Sequence, residues 1–161
     1  MIQVELYKET SCPIRAEAIK KVVRTVLKIL NKKNHLSLSV AVVKNSTSRT
    51  LNRIWRGIDR PTSVLSFSVR PSSESSQKGK KELFILPPRE KNFVGEIIIA
   101  DSVVKKEAQQ NNYSYPEEFN YLFVHGFLHL LGYQHDNYSS RKNMEKQEKR
   151  ILQKLKIKRC L

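Results

Sequence analysis

Between His125 and His135 the chain has few conformations open to it. The stretch reads His-Gly-Phe-Leu-His-Leu-Leu-Gly-Tyr-Gln-His and holds three of the four histidines. Pro116, followed by Glu117 and Glu118, marks a helix start upstream of it. Proline lacks only an N–H that the first turn leaves unpaired, and acids suit the positive end of the helix dipole. A helix continuing from there puts His125 and His129 one turn apart on one face. Gly132 can take the left-handed conformation that ends a helix and turns the chain back. That turn brings His135 round to the same side. Three neutral imidazoles with one position left open are the donor set of a catalytic zinc, at Zn–N distances of about 2.0–2.1 Å.

The spacing matches the zinc-protease pattern H-E-x-x-H-x-x-G-x-x-H at every position but one. The second position, where those enzymes carry a general-base glutamate, is Gly126. The metal cage is complete and its usual base is missing, so peptide hydrolysis by the usual route is not expected. The bland alternative is an apolar helix with incidental histidines, and three at this spacing with a glycine at the turn argue against it. His35 follows Lys32, Lys33 and Asn34 and reads as an ordinary surface histidine.

Charge narrows what such a site would meet. The chain carries 30 Lys and Arg against 15 Asp and Glu, a net charge of +15. That surplus implies a polyanionic partner, nucleic acid ahead of an acidic membrane, because no membrane-binding amphipathic helix stands out. The 161 residues suit a single domain over 1–161 with a real core. No apolar run approaches the ~20 residues of a membrane span. The start, MIQVELYKET, lacks the basic-then-apolar order of a secretory signal. Cys12 and Cys160 lie near opposite ends without a C-x-x-C and read as reduced thiols. These features together predict a cytoplasmic protein.

The periodicities predict an α+β fold, a small sandwich in which a short mixed sheet is covered by helices. Residues 2–7 read as a strand with Ile2, Val4 and Leu6 on one side. Pro13 opens a helix whose stripe is Ala18, Ile19, Val22, Val23, Val26, Leu27 and Leu30. Leu36–Val43 is a strand. Ser46, Thr47 or Ser48 caps a short helix bearing Leu51, Ile54 and Trp55. Thr62–Val69 and Phe93–Ala100 are further strands, and Asp101 caps a helix to about Asn112. Ser139 or Ser140 caps a last helix with Met144, Ile151, Leu152 and Leu155. It runs into a basic tail of Lys154, Lys156, Lys158 and Arg159. That tail is the first candidate for an RNA-facing surface, and the Lys20, Lys21 and Arg24 face is the second. Residues 70–92, rich in serine and lysine, read as a flexible surface loop with a short extended piece at Leu83–Leu86.

Two more segments carry information. Asn52-Arg53-Ile54-Trp55-Arg56-Gly57-Ile58-Asp59-Arg60-Pro61-Thr62-Ser63-Val64-Leu65-Ser66-Phe67 runs from a helix through a turn into a strand. Val94-Gly95-Glu96-Ile97-Ile98-Ile99 is an apolar strand with one acid, either paired and functional or facing solvent. These two segments and His125–His135 together resemble the YbeY family of bacterial endoribonucleases and rRNA maturation factors, whose motifs occur in the same order. Gln134 and Ser63 stand where that family often has aspartate, as does Glu96, and the serine-rich loop looks longer than usual.

The resemblance implies one zinc held by His125, His129 and His135, with His125 and Arg56 as catalytic residues and Arg56 also binding substrate. It implies cleavage of single-stranded RNA in small-subunit rRNA maturation and ribosome quality control, with the ribosome rather than DNA or a membrane as partner. The chemistry is consistent. Neutral ligands leave the metal its +2 charge, which attracts a phosphodiester and acidifies bound water toward a pKa of ~7. Arg56 can hold two phosphate oxygens in its planar fork. The general base stays open between the metal-bound hydroxide alone, Glu96 and Asp136, the latter two serving as base or as support behind the ligands. Two other readings remain. One is a non-catalytic ribosome-assembly factor with structural zinc, which needs a fourth ligand such as Asp136 or a cysteine. The other is a different zinc hydrolase built on a protease-like cage.

Overall fold

The computed structural model describes residues 1–69 and 92–158. Its elements in chain order are β1 (Ile2–Lys8), α1 (Ala16–Ile29), β2 (Leu36–Val43), α2 (Asn45–Arg56), β3 (Val64–Ser68), β4 (Phe93–Ala100), α3 (Asp101–Asn111), α4 (Tyr115–Leu130) and α5 (Tyr138–Lys154). The strands form one sheet in the order β1-β2-β4-β3. β1 and β4 flank β2 in parallel, and β3 runs antiparallel to β4 at the edge.

Residue content explains the order. β2 is buried along its whole length and β4 from Val94 onward, so these apolar strands take the centre. β1 alternates and exposes Gln3, Glu5 and Tyr7 at one edge. The larger core lies on one face of the sheet, where Ile97 and Ile99 meet α1, α4 and α5. A smaller cluster of Ala41, Val43, Leu51, Leu65 and Ile98, with Trp55 and Phe67 against it, lies on the other face under α2. The predicted mixed sheet covered by helices is therefore the observed one.

α4 is fixed from one side. Phe119, Phe123 and Phe127 recur every fourth residue and are fully buried. His125 and His129 lie about 200° round the helix from Phe123 and Phe127 respectively, so burying the phenylalanines turns the histidines outward.

Several boundaries differ from expectation for local reasons. Pro13 precedes α1 by three residues, and Arg15 is the N-cap. Ala18 lies on the solvent side of that helix. α2 is capped by none of its serines or threonines. The Glu9 carboxylate instead accepts hydrogen bonds from the Lys44 amide at 2.9 Å and from the Thr47 hydroxyl. Asp101 is the first residue of α3 rather than its cap, and its carboxylate accepts from Lys105 and Tyr115 instead. α5 is capped by Asn137, with Ser140 as the reciprocal partner three residues on. The strand expected over Thr62–Val69 spans Val64–Ser68. The expected loop at 70–92, except Asn92, and the piece at Leu83–Leu86 lie outside the described residues, as do Arg159 and Cys160. Cys12 is a buried free thiol.

Candidate metal centre

The histidine helix is secured at both ends by its own sequence. At the start, the Ser114 hydroxyl accepts from the Glu117 amide while the Glu117 carboxylate accepts from the Ser114 amide, and Pro116 sits in the first turn. At the end, Gly132 adopts φ +95°. The Tyr133 amide donates back to the Leu128 carbonyl and the Gly132 amide to the His129 carbonyl, both at 3.0 Å. This is the six-to-one and five-to-two pairing that closes a helix through a left-handed residue. The reversal carries His135 over the end of α4. Its ring lies 4.9 Å from that of His129 and 6.0 Å from that of His125, centre to centre.

One donor atom from each of the three histidines lies within 4.8 Å of the others. The Nε2 atoms of His125 and His129 face each other at 3.2 Å. Their Nδ1 atoms are engaged elsewhere. That of His125 lies 3.0 Å from a Glu148 carboxylate oxygen, and that of His129 lies 2.9 Å from the Tyr133 carbonyl. Carboxylates and carbonyls only accept, so both Nδ1 atoms carry a proton, and in neutral imidazoles both Nε2 atoms then present lone pairs. Two neutral imidazoles so placed turn both lone pairs toward one point, where a cation can bridge them. Ligands about 2.0–2.1 Å from one tetrahedral ion are ~3.3 Å apart, close to the observed separation. The donor set fits a metal.

Electrostatics keep the donors available. His129 has its pKa pushed down to about 4, chiefly by burial, then by the charges of His125 and His135. It is therefore neutral at physiological pH. The Tyr133 carbonyl opposes this shift, and the positive charge of Arg56 adds to it.

Glu148 was not picked out by sequence reasoning. It is 5% exposed on the inner face of α5, among Met144, Ile151 and Leu152. A lone acid inside an otherwise apolar stripe was the available signal. Such a carboxylate behind a ligating histidine fixes its tautomer and ring orientation.

Gly126 explains the missing protease base. A Cβ there would come within 2.9 Å of the Ser66 hydroxyl and 3.1–3.2 Å of Ile97 and Val64 methyls. This position is where α4 packs onto β3 and β4, and it has no room for a glutamate.

The long motif from Asn52 to Phe67 is largely scaffold. Arg56 ends α2, and Gly57 beyond it is left-handed. The Asn52 side-chain amide donates to the Arg60 carbonyl at 2.8 Å, the Ser48 hydroxyl donates to the Thr62 carbonyl, and Arg49 makes a two-pronged pair with Asp59. These contacts fix the turn after Arg56. The Arg56 side chain is exposed and near enough for its charge to act on His129.

The structure does not bring the two carboxylates proposed as base into the cluster. Glu96 is fully buried and pairs in register with Phe67. It therefore faces the α2 side of the sheet with Leu65 and Ile98, opposite the face that carries α4. Asp136 is exposed beside His135 and is not among the converging donors. Among the described residues no fourth His, Cys, Asp or Glu joins the three histidines. His35 is exposed near the amino terminus, as expected.

Comparison with known proteins decides the family. The family model described as endoribonuclease YbeY matches residues 4–156. The chain belongs to the YbeY family. An endoribonuclease YbeY from Syntrophomonas wolfei is 36% identical over 143 residues, covering 89% of this chain and 88% of that protein. One from Geobacillus thermodenitrificans is 32% identical, covering 94% of each chain. The solution structure of TM1509 from Thermotoga maritima shares the fold, with a TM-score of 0.55 over 97% of this chain and 92% of that one, at 22% identity. YbeY membership and the three-histidine group agree on a metal-dependent nuclease. Among the described residues, no helix is long and apolar enough to cross a membrane.

Proposed function

We propose that this chain is a cytoplasmic, zinc-dependent endoribonuclease that cuts single-stranded segments of small-subunit rRNA during ribosome maturation. The observation that carries the reading is the convergence of the His125 and His129 Nε2 lone pairs, each set by a partner on Nδ1. His125, His129 and His135 would hold the ion, which supplies a Lewis acid and a means of acidifying water at neutral pH.

The chain's own groups do the rest. Glu148 holds the proton on the His125 Nδ1 and so keeps Nε2 free. Burial keeps His129 neutral. Arg56, exposed and near enough for its charge to act on His129, offers a planar fork to two phosphate oxygens of the strand and stabilises charge that grows on them. With Gly126 packed on the sheet, α4 brings no carboxylate base, which suits a phosphodiester substrate better than a peptide. A structural zinc normally has four protein ligands, and the three here speak for the catalytic reading.

The test is cleavage of an unstructured RNA by purified protein, with metal content measured alongside. Cleavage should disappear with chelator, return with added zinc, and be absent in His129→Ala. Full cleavage by metal-free protein would remove the mechanism.

A further inference from the structure

A trough beside the histidines has strongly unequal walls. Bordering Tyr121, His125 and His135 lies a cavity of about 790 Å³ that is lined along α5 by Arg141, Lys146 and Lys149. A second cavity of about 420 Å³ is lined by Ser63, Glu107, Gln110 and Asn111, with no Lys or Arg. Tyr121 and His125 border both, so the two cavities share a ligand of the metal centre.

We propose that the α5 wall is the track that grips the RNA backbone at this centre, with phosphates on Arg141, Lys146 and Lys149 and the bases turned toward Tyr121 and the polar cavity. The inference rests on the endoribonuclease reading and adds to it where, and by which side, the strand is held.

Charge complementarity favours this occupant. All three cations are exposed and form no ion pair among the described residues. Their neighbour Lys142, by contrast, is engaged with Glu145 and lies over the Tyr138 ring. The acids of α5 do not cancel them. Glu148 is buried against His125, and Glu145 is taken by Lys142. Arg141 and Lys149 are eight residues apart, ~12 Å along the helix, long enough for the wall to meet more than one phosphate of a strand. The Tyr121 ring lies 6.4 Å from the His125 ring and is partly buried, so it is a firm surface on which a base can stack. The wall with amides and no cation suits base edges rather than phosphates.

The experiment measures the affinity of an unstructured twelve-nucleotide RNA at several salt concentrations, with zinc content, melting temperature and cleavage in parallel. The proteins are wild type, Arg141→Ala/Lys146→Ala/Lys149→Ala, its partner Lys146→Arg/Lys149→Arg, and Lys20→Ala/Lys21→Ala/Arg24→Ala on α1. The first variant should keep its zinc and its melting temperature. It should reduce the slope of log K against log salt by about 2, at ~0.7 per phosphate contact. The arginine variant keeps both charges and should therefore keep the wild-type salt slope, and the α1 variant should change that slope little. Loss of affinity in the α1 variant with the α5 variant unchanged would overturn the proposal and leave the nuclease reading intact. Wild-type protein that neither binds nor cuts RNA would overturn both, and an α5 face that then held an acidic protein would be a different surface.

Discussion

Glu148 and Gly126 have opposite relations to the histidine helix: one supports a ligand from behind, the other must have no side chain. Glu148 touches only His125 among the cluster. Glu148→Gln keeps the shape but can donate as well as accept, so the His125 tautomer is no longer fixed. Zinc affinity should fall about 10–100-fold in a competition titration while the fold persists. Unchanged affinity would make the contact incidental. Gly126→Ala inserts a methyl within 2.9 Å of Ser66 and against two more methyls of the sheet. The expected cost is about 1–3 kcal/mol, read by urea unfolding, with the histidines themselves untouched. Arg56 belongs to a third kind. Arg56→Ala should leave folding and zinc intact and strongly reduce RNA cleavage. Arg56→Lys should restore it only in part, since an ammonium cannot make the two-pronged contact. Unfolding of Arg56→Ala would instead make the residue structural.

The helices show what the sequence carried and what it did not. α4 was readable because its signals are local: Pro116, the acids of the first turn, the histidine spacing and Gly132 all act within a turn or two. Its packing position was not, since only the folded sheet reveals that Gly126 meets β3 and β4. The caps of α2 and α5 were misplaced for a related reason. The serines near each start were plausible, but a carboxylate from 35 residues earlier serves α2, and Asn137 precedes the serines of α5. Glu96 is the sharpest case. Sequence alone could not say which face of the sheet it joins, and its register with Phe67 turns it away from α4.

The junction of β4 and α3 supplies a test at this level. Asp101 is 2% exposed. Burial pulls its carboxyl upward, but hydrogen bonds from Lys105 and Tyr115 outweigh that and hold it below the usual range. Burial, then the Asp101 carboxylate, pushes the Tyr115 phenol up. A depressed carboxyl stabilises the fold above its unfolded pKa of about 3.9, and that stability is lost as pH falls through the lower folded value. Asp101→Asn should therefore be less stable than wild type at neutral pH, and the two stabilities should converge in acid. Parallel curves at all pH values would contradict the assignment.

Taken whole, the molecule is a basic α+β fold that gathers a metal-binding triad and holds an arginine within electrostatic reach of it. Its elements and the ligand triad were largely visible in the sequence, because hydrophobic period and histidine spacing are short-range properties. The carboxylate behind His125, the exclusion at Gly126 and the uneven walls of the trough depend on contacts between distant segments. Whether the triad is a catalytic centre or a structural one turns on the fourth ligand. X-ray absorption at the zinc edge of the purified protein reads that directly. The expected result is one zinc per chain with three imidazole nitrogens and one exchangeable light atom at about 2.0–2.1 Å. A sulfur or a fourth protein ligand in the shell, or protein that retains no zinc, would contradict it.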